Sequence, residues 1–113
     1  KINRITERGA LVLVLPENEL GWVNPDALWK KMAEMGITSV LIEGGSTVHT
    51  ECLKRKNADR MVLFIAPKIL GSGIDAIGDL GIRNINSALT LSEVRMRNFG
   101  KDVMIAGKIN YSW

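Results

Sequence analysis

The sequence predicts an α/β fold in which helices cover both faces of a mostly parallel sheet, giving three layers, with an antiparallel hairpin at the C-terminal end. Runs that are apolar on both faces alternate with amphipathic segments along the first part of the chain. This alternation favours parallel strands joined by right-handed helical crossovers. Towards the C-terminus, apolar and polar residues alternate on both sides of a glycine-containing turn, as in a hairpin.

Composition limits the class of protein. The 113 residues are 46% hydrophobic, which is enough for one domain over 1–113. The net charge of +3 is spread along the chain and is weak support for nucleic-acid binding. One cysteine cannot form an internal disulfide, and one cysteine with one histidine is too few for a structural zinc site. The single cysteine favours a reducing, cytoplasmic setting. We expect no membrane span, because the longest apolar run, Ala10–Leu15, is far too short.

The first predicted strand and helix follow a polar segment, residues 1–9, that shows no periodicity. Ala10–Leu15 is apolar on both faces, which predicts a central strand. Asn24 is a good N-cap and Pro25 suits the first helical position, so a helix is expected from there to about Met35. Its buried stripe comprises Leu28, Met32 and Met35, with Gly36 as the C-terminal cap.

A strand, a glycine turn and a helix are predicted in the centre of the chain. Ile37–Ile42 is β-branched and apolar, Glu43-Gly44-Gly45 follows it, and Val48–Lys56 is amphipathic. Paired glycines allow a tight bend and close approach of a ligand to the backbone, and the helix start offers unpaired N–H groups to an anion. The alternative is a plain strand-to-helix turn without a ligand.

The carboxylate before the glycines suggests two ligands at this turn. A carboxylate repels phosphate, so Glu43 is expected to accept hydrogen bonds from a second ligand. The amides from Gly45 onward, with the hydroxyls of Ser46 and Thr47, would bind a pyrophosphate. Alternatively, Glu43 pairs with a nearby lysine or amide. The turn lacks the third glycine of the dinucleotide fingerprint and the lysine of a P-loop.

The remaining elements are a third strand, a long loop and a hairpin. Arg60–Ile65 is an apolar strand, and Ala66–Gly81 is too rich in glycine for regular structure. Within that loop, Lys68 and Gly71-Ser72-Gly73 either line a cleft or only connect the sheet to its hairpin. Alternation over Leu89–Phe99 and Val103–Ile109 predicts the hairpin.

The segments Val40–Val48 and Asp59–Gly73 resemble the C-terminal reductase domain of the bifunctional riboflavin-biosynthesis deaminase/reductase, which has a dihydrofolate-reductase-like fold. The resemblance implies an enzyme, an NADPH-dependent reductase that converts the ribose of 5-amino-6-(5-phosphoribosylamino)uracil to its ribityl form. It implies that Glu43 contacts this small-molecule substrate. The cofactor segment would comprise Gly44, Gly45, Ser46, Thr47, Val48, His49, Thr50 and Glu51, with Val48 contributing its backbone.

The chain departs from the family pattern at two places outside the turn. Arg60 stands where an acidic residue is usual, and Ser72-Gly73 replaces a glycine pair. The resemblance also implies that this chain is only the C-terminal half of the reductase domain, so that it would bind NADPH poorly and reduce nothing alone. We assign no catalytic residue, because the cofactor carries the reactive atom and the protein orients it. Cys52 is expected in the core, and His49 is not expected to be a base.

Two other classes of function are consistent with the sequence. A basic nucleic-acid-binding domain would need a clustered cationic face with stacking aromatics, whereas the six aromatic residues are scattered. The second class is an assembly module, since unpaired strand edges favour dimerisation. We expect a homodimer, with no nucleic-acid partner.

Overall fold

A computed structural model describes residues 2–112 of the chain, which divides into two compact units, Lys1–Leu41 and Ile42–Trp113. The first unit contains helices α1, Ile2–Thr6, and α2, Pro25–Glu34. The second contains helix α3, strand β1, a short 3₁₀ helix and strands β2 and β3. Their bounds are Ser46–Lys54, Arg60–Ile65, Ile85–Ser87, Thr90–Phe99 and Asp102–Asn110. None of the helices in residues 2–112 is long and apolar enough to cross a bilayer.

Helix α2 has the start and the end that its sequence predicts. The Asn24 side-chain oxygen accepts hydrogen bonds from the backbone amides of Asp26 at 2.9 Å and Ala27 at 3.2 Å. Pro25 is the first helical residue, and Gly36 follows the helix with a φ of 75°. The cap satisfies two amides that would otherwise lack an acceptor, which explains why the helix begins at this position. Helix α1 was not predicted, because its five residues show no periodicity.

The predicted strands at 10–15 and 37–42 do not form in the described part of the chain. Both segments lack a backbone ladder, and Leu11, Val14 and Leu41 are 72%, 82% and 78% exposed. An apolar run of β-branched residues favours an extended backbone, but it becomes a strand only when a neighbouring strand supplies hydrogen-bond partners. No strand within residues 2–112 takes that place beside them.

The observed sheet has three strands in the order β1-β3-β2, and both pairs are antiparallel. Arg60 of β1 lies opposite Lys108 of β3, and Phe99 of β2 lies opposite Asp102 of β3. The predicted hairpin is confirmed, with Gly100 in its turn at a φ of 61°. The prediction of a mostly parallel sheet is wrong for the described residues. Strand β1 pairs with the returning arm of the hairpin, and not with the two earlier apolar runs.

A β-bulge interrupts the hairpin and explains a buried glycine. The register shifts between Ser92 and Arg95, and Glu93 has a φ of 50°. At Gly107, opposite this bulge, an added Cβ would lie 2.9 Å from the Leu91 Cβ and 3.0 Å from the Ser92 carbonyl oxygen. These distances are too short for a side chain, so the bulge requires glycine at position 107.

The core of the second unit lies on one face of the sheet. Leu53 of α3 and Ile109 of β3 are only 2% and 7% exposed. They border an apolar cavity of about 360 Å³. Strand β1 and the long loop also line it, through Met61, Leu63, Ile77 and Leu80. Burial of these side chains is the main source of stability that the structure offers this unit.

The opposite face of the sheet is apolar and open. Val62, Phe64 and Phe99 are 51%, 64% and 51% exposed. The two phenylalanine rings contact each other edge to face, with 5.8 Å between their centroids. Exposed apolar groups on one face of a sheet are typical of a surface that a partner covers.

Candidate functional site

The glycine turn places a set of unpaired amides at the start of α3. Gly45 precedes the helix with a φ of 81°, and no side chain caps it. The first amide to find an acceptor inside the helix is that of His49, which donates to the Gly45 carbonyl oxygen at 3.1 Å. No acceptor within residues 2–112 approaches the amides of Ser46, Thr47 and Val48. The predicted anion-binding group is therefore available to a ligand.

The turn is also sterically open. A Cβ added to Gly44 or Gly45 would meet no atom within 4 Å. Thr47 is exposed, and Val48 is 47% exposed. A phosphate group could therefore approach the backbone here without displacing a side chain of the chain.

Glu43 is exposed and projects from this same turn. Among the described residues it has neither an ion-pair partner nor a hydrogen bond. The alternative in which a nearby lysine or amide neutralises this carboxylate does not occur there. Both of its oxygens can therefore accept hydrogen bonds from hydroxyl or amino groups of a ligand.

The other side of α3 contacts the long loop. The Thr50 side chain is buried, and its hydroxyl donates to the Ser46 carbonyl oxygen at 2.6 Å. The same hydroxyl accepts a hydrogen bond from the Gly78 amide at 2.7 Å. The His49 Nδ1 lies 3.1 Å from the Ala76 carbonyl oxygen, so Nδ1 carries the proton and donates. The sequence indicated a loop here but not that Ala76 and Gly78 would bind this helix.

The predicted cofactor segment is thus divided between two surroundings. Residues 44–51 lie together in one turn and the first six residues of the nine-residue helix α3, as their continuity requires. Gly44, Gly45, Thr47 and Val48 are open to solvent, whereas His49 and Thr50 bind the loop. The Glu51 side chain forms an ion pair with Arg55, one helical turn further on. That these residues bind a cofactor stays a prediction.

The Asp79 carboxylate accepts three hydrogen bonds within the loop beside α3. The Asp79 carboxylate accepts hydrogen bonds from both terminal nitrogens of Arg83, each at 2.7 Å, and from the Gly81 amide at 2.7 Å. These bonds, led by those from Arg83, hold the pKa of Asp79 well below its usual range. The bidentate pair joins residues 79 and 83 of the loop that contacts α3, and both side chains are exposed. Asp79 and Arg83 lie in an irregular loop and not on a helix, so their spacing in the sequence did not indicate this pair.

Cys52 lies in the core, as the sequence predicts, and is 9% exposed. Burial raises the pKa of its thiol, and the negative charge of Glu51 raises it further. A protonated, buried thiol of this kind is a poor nucleophile, which fits a structural role.

The glycine-rich stretch at 70–75 forms a shallow depression of about 320 Å³ from its own residues. Ile74 within this stretch and Ile69 next to it are almost fully exposed. Lys68 is exposed as well. Whether Lys68 and Gly71-Ser72-Gly73 line a ligand cleft stays a prediction.

Comparison with known proteins gives consistent matches. The family described as "RibD C-terminal domain" matches residues 1–105. Riboflavin biosynthesis protein RibD of Aquifex aeolicus is 39% identical over 105 residues, which are 93% of this chain and 28% of that protein. RibD of Actinobacillus pleuropneumoniae is 32% identical over 93% of this chain and 28% of that protein.

A plant protein matches a smaller share of the chain. Riboflavin biosynthesis protein PYRR, chloroplastic, of Arabidopsis thaliana is 30% identical over 79% of this chain and 15% of that protein. The chain thus spans less than a third of the length of each of these relatives. Since the family match extends over nearly the whole sequence, the chain belongs to the family of RibD C-terminal domains.

Proposed function

We propose that this chain supplies the dinucleotide-binding turn of an NADPH-dependent reductase in riboflavin biosynthesis. The reaction would reduce the ribose of 5-amino-6-(5-phosphoribosylamino)uracil to its ribityl form. The relatives are named as riboflavin biosynthesis proteins, and the family resemblance implies the reductase. The observation that carries the proposal is the row of unpaired amides at Ser46, Thr47 and Val48, open to solvent beside Glu43.

The residues present fit the diphosphate of such a cofactor. The three amides and the exposed Thr47 hydroxyl would hold its negative charge at the positive end of α3. When bound, NADPH supplies the hydride, so the protein contributes orientation and not an acid or a base. Glu43 would accept hydrogen bonds from the substrate, which fixes the sugar carbon beside the cofactor.

The proposal concerns the complete protein that contains this chain, because the relatives are much longer. In that protein we propose a dihydrofolate-reductase-like sheet, in which the exposed apolar runs at 10–15 and 37–42 gain strand partners. Their exposure supports this, because extended apolar segments are stable when a sheet buries both of their faces.

Replacing Gly44 with alanine tests the turn. We expect the KM for NADPH to rise about 10-fold, because the added methyl group would move the diphosphate away from the backbone. A 10-fold change corresponds to ~1.4 kcal/mol of binding free energy. The melting temperature should not change, since a Cβ at this position meets no atom within 4 Å and its φ is not left-handed. Steady-state kinetics of the complete protein measure the KM, and its thermal unfolding measures the melting temperature. A KM equal to that of the unsubstituted protein would contradict a diphosphate at this turn.

A homodimeric assembly module is the second candidate, supported by the open sheet. Strands β1 and β2 are the edges of the sheet, and the face bearing Val62, Phe64 and Phe99 is exposed. A second copy suits such an edge, because antiparallel pairing of identical strands is two-fold symmetric. We expect the complete protein to sediment as a dimer and Phe64→Ser to shift it towards monomer. A monomer at all concentrations would contradict this candidate.

A further inference from the structure

We propose that Thr50 is a positioning residue, which holds the loop at 76–78 against α3 and so sets the helix turn that receives the cofactor. This inference rests on the proposed function. It assigns Thr50 a role through Ser46 and Gly78, whereas the family resemblance implies that Thr50 belongs to the cofactor-binding segment.

The Thr50 hydroxyl makes two hydrogen bonds inside the chain. It donates its proton to the Ser46 carbonyl oxygen at 2.6 Å and accepts from the Gly78 amide at 2.7 Å. A hydroxyl has one proton to donate, so Thr50 cannot also donate to a ligand. Only 9% of the residue is exposed, which leaves little surface that a cofactor could reach.

Two further contacts place the loop backbone tightly on the same side of α3. The His49 imidazole donates from Nδ1 to the Ala76 carbonyl oxygen at 3.1 Å. At Gly78, an added Cβ would lie 3.2 Å from the Thr50 hydroxyl oxygen and 3.7 Å from that of Ser46. The loop therefore approaches the helix closely at Gly78, because glycine has no side chain there. The Gly78 amide then reaches the Thr50 hydroxyl directly.

The helical repeat separates this side from the ligand side. Positions 46, 49 and 50 lie three and four residues apart and share one face, which the loop covers. Thr47 and Val48 lie on the remaining surface and are exposed. The loop thus limits the approach of a dinucleotide to the side of Thr47. Releasing the loop would free the first turn of α3 and the amides that it presents.

The test compares Thr50→Val with Thr50→Ser in the complete protein. Valine has the shape of threonine but loses both hydrogen bonds, whereas serine keeps the hydroxyl. For Thr50→Val we expect about 10-fold faster hydrogen exchange at residues 76–82 and a KM for NADPH raised about 10-fold, with kcat unchanged. Thr50→Ser should restore both values. Thr6→Val is the matched control, because the Thr6 hydroxyl also donates to backbone carbonyls within its helix but, among residues 2–112, accepts no hydrogen bond from a loop amide.

The possible outcomes separate the two proposals. If the unsubstituted protein binds NADPH but Thr50→Val leaves either the loop exchange or the KM unchanged, the positioning role is wrong and the proposed function stands. A valine variant with a lower melting temperature, an unchanged KM and normal exchange at low temperature would show a purely structural role. If the unsubstituted protein does not bind NADPH, the proposed function fails and this role fails with it.

Discussion

Replacing Glu43 with glutamine in the complete protein is expected to lower kcat/KM for the phosphoribosylaminopyrimidine about 10- to 100-fold. Hydrogen bonds to a charged group contribute about 1.5–3 kcal/mol, and glutamine keeps the size of the side chain while removing its charge. Glu43 has no partner among residues 2–112 that would need it for folding, so the loss should appear in substrate binding or turnover and not in stability. Steady-state kinetics with each substrate varied in turn measure the effect.

The KM for NADPH separates the two ligands of the turn. It should stay unchanged in Glu43→Gln, because the carboxylate is assigned to the pyrimidine substrate and not to the diphosphate. Glu19→Gln is the control, because it makes the same substitution at another exposed carboxylate. Equal kcat/KM values in Glu43→Gln and the unsubstituted protein would show that Glu43 does not contact the substrate.

Replacing Leu53 with alanine is expected to lower the free energy of unfolding by about 2–5 kcal/mol. Leu53 is 2% exposed and borders the apolar cavity beneath the loop, so its loss removes buried contacts and enlarges a space that is already present. Since small domains are stable by only about 5–15 kcal/mol, this is a large share of the total. Chemical denaturation followed by circular dichroism measures it.

An exposed leucine provides the comparison for this variant. Leu20, outside the apolar runs at 10–15 and 37–42, is 76% exposed, and Leu20→Ala should change the free energy of unfolding by no more than about 0.5 kcal/mol. If both leucine variants lowered the free energy of unfolding by the same small amount, α3 would not pack on the sheet as the structure describes.

Local chemistry in the sequence determined most of the individual elements. Asn24 and Pro25 placed the start of α2, because a cap and a preset φ act on neighbouring backbone groups. The alternation around Gly100 determined the hairpin for the same reason. The continuous segment from Glu43 to Glu51 needed no tertiary information to bring its residues together. Its placement at a helix start was therefore predicted within two residues.

Only the tertiary structure decided which segments pair and which side of a helix is covered. The apolar pattern of Arg60–Ile65 predicted a strand but could not indicate its antiparallel partner β3, which lies some forty residues later. The runs at 10–15 and 37–42 have the same pattern, yet no ladder forms there in the described chain. Likewise, Thr50 contacts Gly78 only because the loop folds back across 28 positions. Hydrophobic periodicity specifies burial along a segment, whereas the choice of neighbour depends on long-range closure that the local sequence does not encode.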